Sequence, residues 1–331
     1  MVREARAFWV RAPGVGEIRC ADLPEPRPGD VLVRTVHTGV SRGTESIVFG
    51  GRVPPNQYSQ MRAPFQEGEF PGPVKYGYLN VGVVEQGPAH LLGRTVFCLY
   101  PHQTAYVVPA AAVTVVPDGV PPARAVLAGT VETAVNALWD AAPLIGDRVV
   151  VVGAGMVGCC IARLLARFPA ADVTLVDVDD ERAHVARSLE VGFATPDSAP
   201  RDVDLVVHAS GAAAWLQLAL DLLRPEGTVV DVSWYGDAPV SLRLGESYHS
   251  RRLTIRSSQV ALVAPARRSS RTTSDRRSLA LNLLHDDAFD ALLAGPTAFA
   301  ELPALMSAIA SGGVRGLCQT ISYDGEASCS A

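Results

Sequence analysis

The stretch "DRVVVVGAGMVGCCIARLLARF", residues 147–168, constrains the fold of this chain more than any other. Four valines lead into Gly153-Ala154-Gly155-Met156-Val157-Gly158, and helical spacing follows. A buried strand, a glycine turn and a helix in that order open a dinucleotide-binding unit. Gly153 permits the tight turn, Gly155 lets a pyrophosphate approach the backbone, and Gly158 lets the helix pack close to the strand. Met156 and Val157 stand at the helix N-terminus, where backbone amides are available as donors. Asp177 closes the next apolar run, "VTLVDV", where an acceptor for the adenosine ribose hydroxyls is expected. With Asp179 and Asp180 beside it, Asp177 also repels a 2′-phosphate. The cofactor expected from these residues is NAD(H) rather than NADP(H).

Alternation of strand and helix continues through "ERAHVARSLEVG", "DVDLVVHAS", "AAWLQLALDLLRPEG", "TVVDVSW" and "RRLTIRSSQV". That pattern predicts a parallel, doubly wound α/β sheet. The first third differs. "ARAFWV", "GEIRCADL" and "DVLVRTVHTGV" are short β-rich runs separated by "APGVG" and "PEPRPGD", and more strand-like pieces follow to about residue 116. The end of the chain holds helix-like "SLALNLLHDD" and "LPALMSAIASGG", then a β-like "LCQTISY".

At 331 residues the chain is long enough for two cores. Net charge is −5, so no broad basic field exists for nucleic acid or an anionic membrane. A small-molecule substrate is the expected partner. The N-terminus shows no continuous apolar signal region, and no stretch approaches the ~18 apolar residues of a membrane span. The six cysteines, at 20, 98, 159, 160, 318 and 329, form no CxxC pair or metal cluster. They read as reduced thiols in a cytoplasmic protein, with Cys159 and Cys160 as packing residues.

A β lobe, a dinucleotide unit and a short return segment resemble the medium-chain dehydrogenase/reductase superfamily, the zinc-type alcohol dehydrogenases and their relatives. The resemblance rests on "GVSRGTES" (39–46), "GYLNVGVVEQG" (77–87), "LAGTVETAVNAL" (127–138), "VVVVGAGMVG" (149–158) and "LPALMSAIASG". It covers nearly the whole chain. Within the superfamily, "SRGTESIVFGGRVPP" looks most like the bacteriochlorophyllide dehydrogenase-type branch. The resemblance implies a GroES-like β-rich catalytic domain over 1–122 with 263–331, and a Rossmann domain over 123–262. It also implies a homodimer through the Rossmann domain.

The chain departs from the zinc-type pattern where the metal would sit. The loop that carries a cysteine in that family offers Ser41 or Arg42 here, the Gly-His-Glu motif reads Gly77-Tyr78-Leu79, and a later cysteine aligns near Thr130. Tetrahedral zinc takes Cys, His or carboxylate ligands, so no zinc is expected. Tyr78, at the lost histidine position, becomes the candidate proton donor and acceptor. A phenol with a pKa of ~10 is a poor base near neutrality unless a cation lowers it. Lys75, the only lysine among 29 basic residues, stands three positions away and is the candidate to tune it or to contact the substrate. Tyr76 competes for either role.

Other candidates follow from the same frame. Ser41, Arg42 and Thr44 lie where substrate would be held, with Glu45 beside them on a "GTE" turn. Arg42 suits a carboxylate or phosphate, or else a structural ion pair. Glu132 and Thr133 resemble positions near the nicotinamide, Thr133 as a cofactor contact and Glu132 as a base or a local cap. His102 is a proton shuttle or a surface histidine. Ser210, after the strand ending at His208, and Trp234 in "SWYG" follow carboxyl ends of parallel strands, where ligands bind. The arginines of "PARRSSRTTSDRR" either grip an anionic substrate or form a solvated loop.

Three functions fit these residues. The first is an NAD(H)-dependent alcohol/ketone oxidoreductase with Tyr78 moving the hydroxyl proton. The second is a reductase of an activated C=C bond, and the third a non-catalytic NAD-binding module.

Overall fold

The computed structural model describes residues 3–325, so Cys329 lies outside the described residues. The chain forms two compact units, one holding the residues up to Gly129 with those from Leu293 onward, the other Thr130–Leu292.

The second unit is built on Arg148–Val152. Its valines are buried on both faces of the sheet, as an apolar run in a parallel sheet requires. Asp172–Val176 pairs parallel to it on one side and Val203–His208 on the other. The full order is Gly192–Ala194, Asp172–Val176, Arg148–Val152, Val203–His208, Leu223–Asp231, Thr254–Ser257, with every described pairing parallel. The doubly wound sheet expected from the alternation is present. The helix Met156–Ala166 leaves the glycine turn and buries Cys159 and Cys160 completely.

The first unit is β-rich. Its central strand, Asp30–Val40, pairs antiparallel with Asn80–Gln86, Ala105–Pro109 and the returning Cys318–Ser322. A smaller four-stranded sheet pairs Arg3–Ala12 with Val15–Leu23 and Val74–Lys75.

The division corrects the expected boundaries: 123–129 belong with the first unit and 263–292 with the second. For 263–292 the reason is a buried ion pair. Arg276, 1 % exposed in the helix Thr273–Leu283, donates to Glu132 and Asn136 and to the carbonyls of Val260 and Leu262. That arginine ties its helix to Ala128–Ala141, so Arg276 belongs neither to a solvated loop nor to a substrate grip.

"GTE" is not a turn but lies within the helix Arg42–Phe49. Four of the cysteines, 98, 159, 160 and 318, are buried outside any disulfide. Cys20 is disulfide-bonded, which corrects the reading of reduced thiols throughout. Spacing gave no sign of it, because the nearest cysteine in the sequence is Cys98. No helix among the described residues is long and apolar enough to cross a membrane.

Candidate active site

In the first unit the strand Asp30–Val40 runs directly into Ser41 and the helix Arg42–Phe49. Glu45, one turn along, accepts from the Ser41 backbone N–H at 2.7 Å, which satisfies one of the donors a helix start leaves open. Gly39 N–H donates to Leu79 O at 2.9 Å and holds the Tyr78 loop against the end of that strand. Gly77 has φ +132°, and a Cβ there would stand 2.8 Å from His102 Cδ2. Only glycine lets the histidine pack so close.

Tyr78 and Ser41 thereby meet: the phenol donates to Ser41 Oγ at 2.7 Å. Burial, reinforced by the Glu45 carboxylate, pushes the Tyr78 phenol up to about 12, against hydrogen bonds to Ser41 and Thr44 that pull it down. It stays protonated near neutrality.

Beneath this pair runs a buried polar chain. Glu45 Oε2 lies 2.9 Å from His102 Nε2, His102 Nδ1 lies 2.7 Å from Thr38 Oγ1, and Thr38 Oγ1 lies 3.1 Å from the Tyr323 hydroxyl. Glu45 and His102 are 2 % and 1 % exposed. His102 is therefore not a surface histidine. Thr38 and Tyr323 were not singled out from sequence, and no local pattern marks them, since they come from positions 285 residues apart.

Lys75 takes no part in this group. Its ammonium is buried, pairs with Glu67, donates to Gln103 Oε1 at 2.7 Å and lies 5.3 Å from the centre of the Tyr100 ring. Burial lowers its pKa, with Glu67 opposing. The expected cation that tunes Tyr78 pairs instead with Glu67, which is largely exposed, and the tyrosine's shift is upward rather than downward. Tyr76 is buried against Phe70 and Tyr78, with its phenol raised by the same desolvation. Arg42 is half-buried at the first position of its helix.

In the second unit, Gly153 has φ +106°, and a Cβ on it would meet Ser210 backbone at 2.7 Å. A Cβ on Gly158 would stand 1.9 Å from Gly153 O. Gly155 has nothing within 4 Å of where its Cβ would be, so its surface is open to a ligand. Asp177 follows the strand Asp172–Val176 and accepts from Ala154 N–H at 2.7 Å and Asp179 N–H at 3.0 Å. Asp179 in turn pairs with Arg182 at 3.4 Å. Met156 and Val157 open the helix, and Ser210, Trp234 and Thr133 are half-buried. These residues fit a dinucleotide, with an open glycine for the phosphates and a carboxylate on one flank for a ribose.

Glu132 is not available as a base. It is 3 % exposed, and its two oxygens accept from Arg276 at 3.1 Å and Arg277 at 3.3 Å.

Zinc is a different matter. Ser41, Tyr78 and Thr130 are hydroxyls, and the described residues contain no group of three or more His, Cys, Asp or Glu able to hold a metal ion. These residues do not fit a tetrahedral zinc site.

No protein-family model matches the chain. L-galactonate-5-dehydrogenase of Escherichia coli is 27% identical over 273 residues, covering 72% of this chain and 78% of that protein. 2-Desacetyl-2-hydroxyethyl bacteriochlorophyllide A dehydrogenase of Cereibacter sphaeroides is 27% identical over 240 residues, 66% and 70% of the two chains. Among solved structures, L-idonate 5-dehydrogenase of E. coli superposes with a TM-score of 0.80 at 15% identity, covering 98% of this chain and 99% of that one. A Sinorhizobium meliloti protein described as a zinc-binding dehydrogenase, bound to NADP, gives 0.76 at 17% identity over 96% and 99%. An alcohol dehydrogenase of E. coli CFT073 complexed with NADH gives 0.75 at 17% over 96% and 98%.

Proposed function

We propose, for a chain that belongs to the medium-chain dehydrogenase/reductase superfamily, a zinc-independent oxidoreductase that interconverts a secondary alcohol and a ketone with NAD(H). The observation that carries this reading is the Tyr78–Ser41 hydroxyl pair. It stands at positions where zinc-type relatives place metal ligands, and its phenol is held protonated. The relatives named for L-galactonate and L-idonate support a secondary alcohol as the group acted on.

A bound nicotinamide supplies the hydride in reduction and accepts it in oxidation. Tyr78 donates its proton to the oxygen of the carbonyl as negative charge develops there. An alkoxide is a stronger base than a phenolate, so a phenol near 12 still gives its proton up in that direction. Ser41 Oγ then stabilises the phenolate until it is reprotonated. Glu45 and His102 hold this arrangement from below: Glu45 fixes the Ser41 backbone, and His102 fixes Glu45. Oxidation needs the phenolate at the outset, which the environment of Tyr78 disfavours.

NAD(H) is favoured over NADP(H) by the carboxylate of Asp177, and the nearby Arg182 is paired with Asp179. Titration with both reduced cofactors tests this, with NADH binding at least tenfold tighter. The same reading carries a homodimer, supported by Thr254–Ser257 as the terminal strand of the six-stranded sheet.

The test uses NADH deuterated at the transferable position, metal-analysed protein and a panel of polyol-derived ketones, with mass spectrometry to locate the label. Deuterium on a carbinol carbon is expected. Deuterium on a carbon β to a carbonyl would make the protein a C=C reductase, and bound NADH with no transfer to any compound would favour the non-catalytic module.

A further inference from the structure

The dinucleotide unit contains a second polar group, at the ends of two neighbouring parallel strands. His208, fully buried, ends Val203–His208, and Asp231 ends Leu223–Asp231. His208 Nδ1 lies 3.0 Å from Asp231 Oδ1, and His208 Nε2 lies 2.7 Å from Ser210 Oγ. Asp231 also accepts from Ser233 N–H at 3.0 Å and from the Tyr235 hydroxyl at 2.9 Å.

A carboxylate oxygen at Nδ1 places the proton of a neutral imidazole on that nitrogen. Nε2 then carries a lone pair, so the Ser210 hydroxyl must donate inward to it. Ala212 N–H donates to Ser210 Oγ at 3.2 Å and uses one of its lone pairs. The oxygen keeps one acceptor site and has no proton to offer outward.

This arrangement has the members of a nucleophilic triad, but the stabilising donors are missing. The two amides next in line are already spent, Gly211 N–H on Ser233 Oγ at 3.1 Å and Ala212 N–H on Ser210 itself. Its position suits binding. Ser210 backbone lies against Gly153 of the phosphate turn. In the sheet order, Asp177 flanks Arg148–Val152 on one side and Ser210 flanks it on the other. A dinucleotide whose pyrophosphate lies on the turn and whose adenosine ribose lies at Asp177 brings its second ribose to Ser210.

We propose that Asp231 and His208 are positioning residues that lock the Ser210 hydroxyl inward, making its oxygen an acceptor for a ribose hydroxyl on the nicotinamide side of the bound dinucleotide. This rests on the dinucleotide reading given above. Asp231→Asn offers an amide donor to Nδ1, which moves the imidazole proton to Nε2 and turns Ser210 into an outward donor.

Isothermal titration of the purified protein with NADH, and with ADP as a fragment lacking the nicotinamide riboside, tests the arrangement. Ser210→Ala weakens NADH about fivefold, as loss of one hydrogen bond does, and leaves ADP within twofold. Asp231→Asn does the same, and in the Ser210→Ala background it adds nothing. Equal weakening of NADH and ADP, or a full Asp231→Asn effect without the serine, would overturn the proposal, because a merely structural role moves both. So would labelling of Ser210 by a fluorophosphonate, which marks a reactive nucleophile. An unchanged NADH affinity in Ser210→Ala overturns this proposal alone, whereas wild-type protein that binds no NADH overturns the dinucleotide reading with it.

Discussion

The two candidate sites are made of different materials. In the second unit the ligand surface is backbone: an open Gly155, a left-handed Gly153 and a Gly158 that nothing larger can replace. In the first unit it is side chain: Tyr78 on Ser41, with Glu45, His102, Thr38 and Tyr323 beneath. A backbone site tolerates almost no change of residue, because the space itself is the function. A side-chain site can change its chemistry while the fold stays.

The sharpest way to break that contrast is at Gly158. A Cβ there would stand 1.9 Å from Gly153 O, which is backbone and has no rotamer to give. Gly158→Ala should cost about 3 kcal/mol or more, the upper end of overpacking, and lower the melting temperature by several degrees. Gly155→Ala should leave the melting temperature in place, having nothing within 4 Å, and weaken NADH instead. Equal thermal effects at the two glycines would mean that the turn is structural only.

At the side-chain site, Tyr78→Phe removes the proton donor and keeps the ring. Ketone reduction should fall ~10²- to 10⁴-fold, the range for a general acid, with the melting temperature little changed. The pH dependence gives an independent check. With the phenol at about 12, Tyr78 stays protonated through pH 10, so reduction shows no loss assignable to it below that pH. Oxidation, which needs the phenolate, climbs with pH across the same range, and Tyr78→Phe abolishes the climb.

The difference in material also explains what could be read from sequence. Glycines at 153, 155 and 158 are contiguous, and the requirement they meet is local, so the turn, its strand and Asp177 were legible. The β lobe was legible as a lobe, from its turn clusters. The polar chain was not: Thr38, Glu45, His102 and Tyr323 are joined only by the pairing of Cys318–Ser322 with Asp30–Val40 and by the fold of the loop at 102. Lys75 misled for a related reason. Three residues of separation from Tyr78 say nothing of direction in an extended segment, and its partner Glu67 lies on the strand paired with its own. Glu132 likewise found Arg276, 144 residues on.

His102→Leu tests whether that buried chain is structural support. It strips the Glu45 carboxylate, 2 % exposed, of its closest side-chain partner. Removing one member of such a buried pair costs about 3 kcal/mol, read as a lower denaturant midpoint with an unchanged slope. Unchanged stability would mean that the buried chain is not structural support.

Lys75→Met is the smallest effect and separates a lone lysine from a catalytic one. The ammonium is 1 % exposed but Glu67 is 56 % exposed, so water can take over the glutamate once the lysine is gone. A net change within about 1 kcal/mol is expected for a pair so placed, with ketone reduction unaffected. The pH dependence of stability shows the lysine's own contribution. Burial lowers its folded pKa below the ordinary 10.5, so between the two values the unfolded chain binds more protons than the folded one. Stability then rises with pH across that window, since the slope follows the protons bound by the unfolded state minus those bound by the native state. In Lys75→Met that alkaline rise should vanish. A variant that kept the rise would show that another group carries it, and one that lost turnover would return Lys75 to the active site.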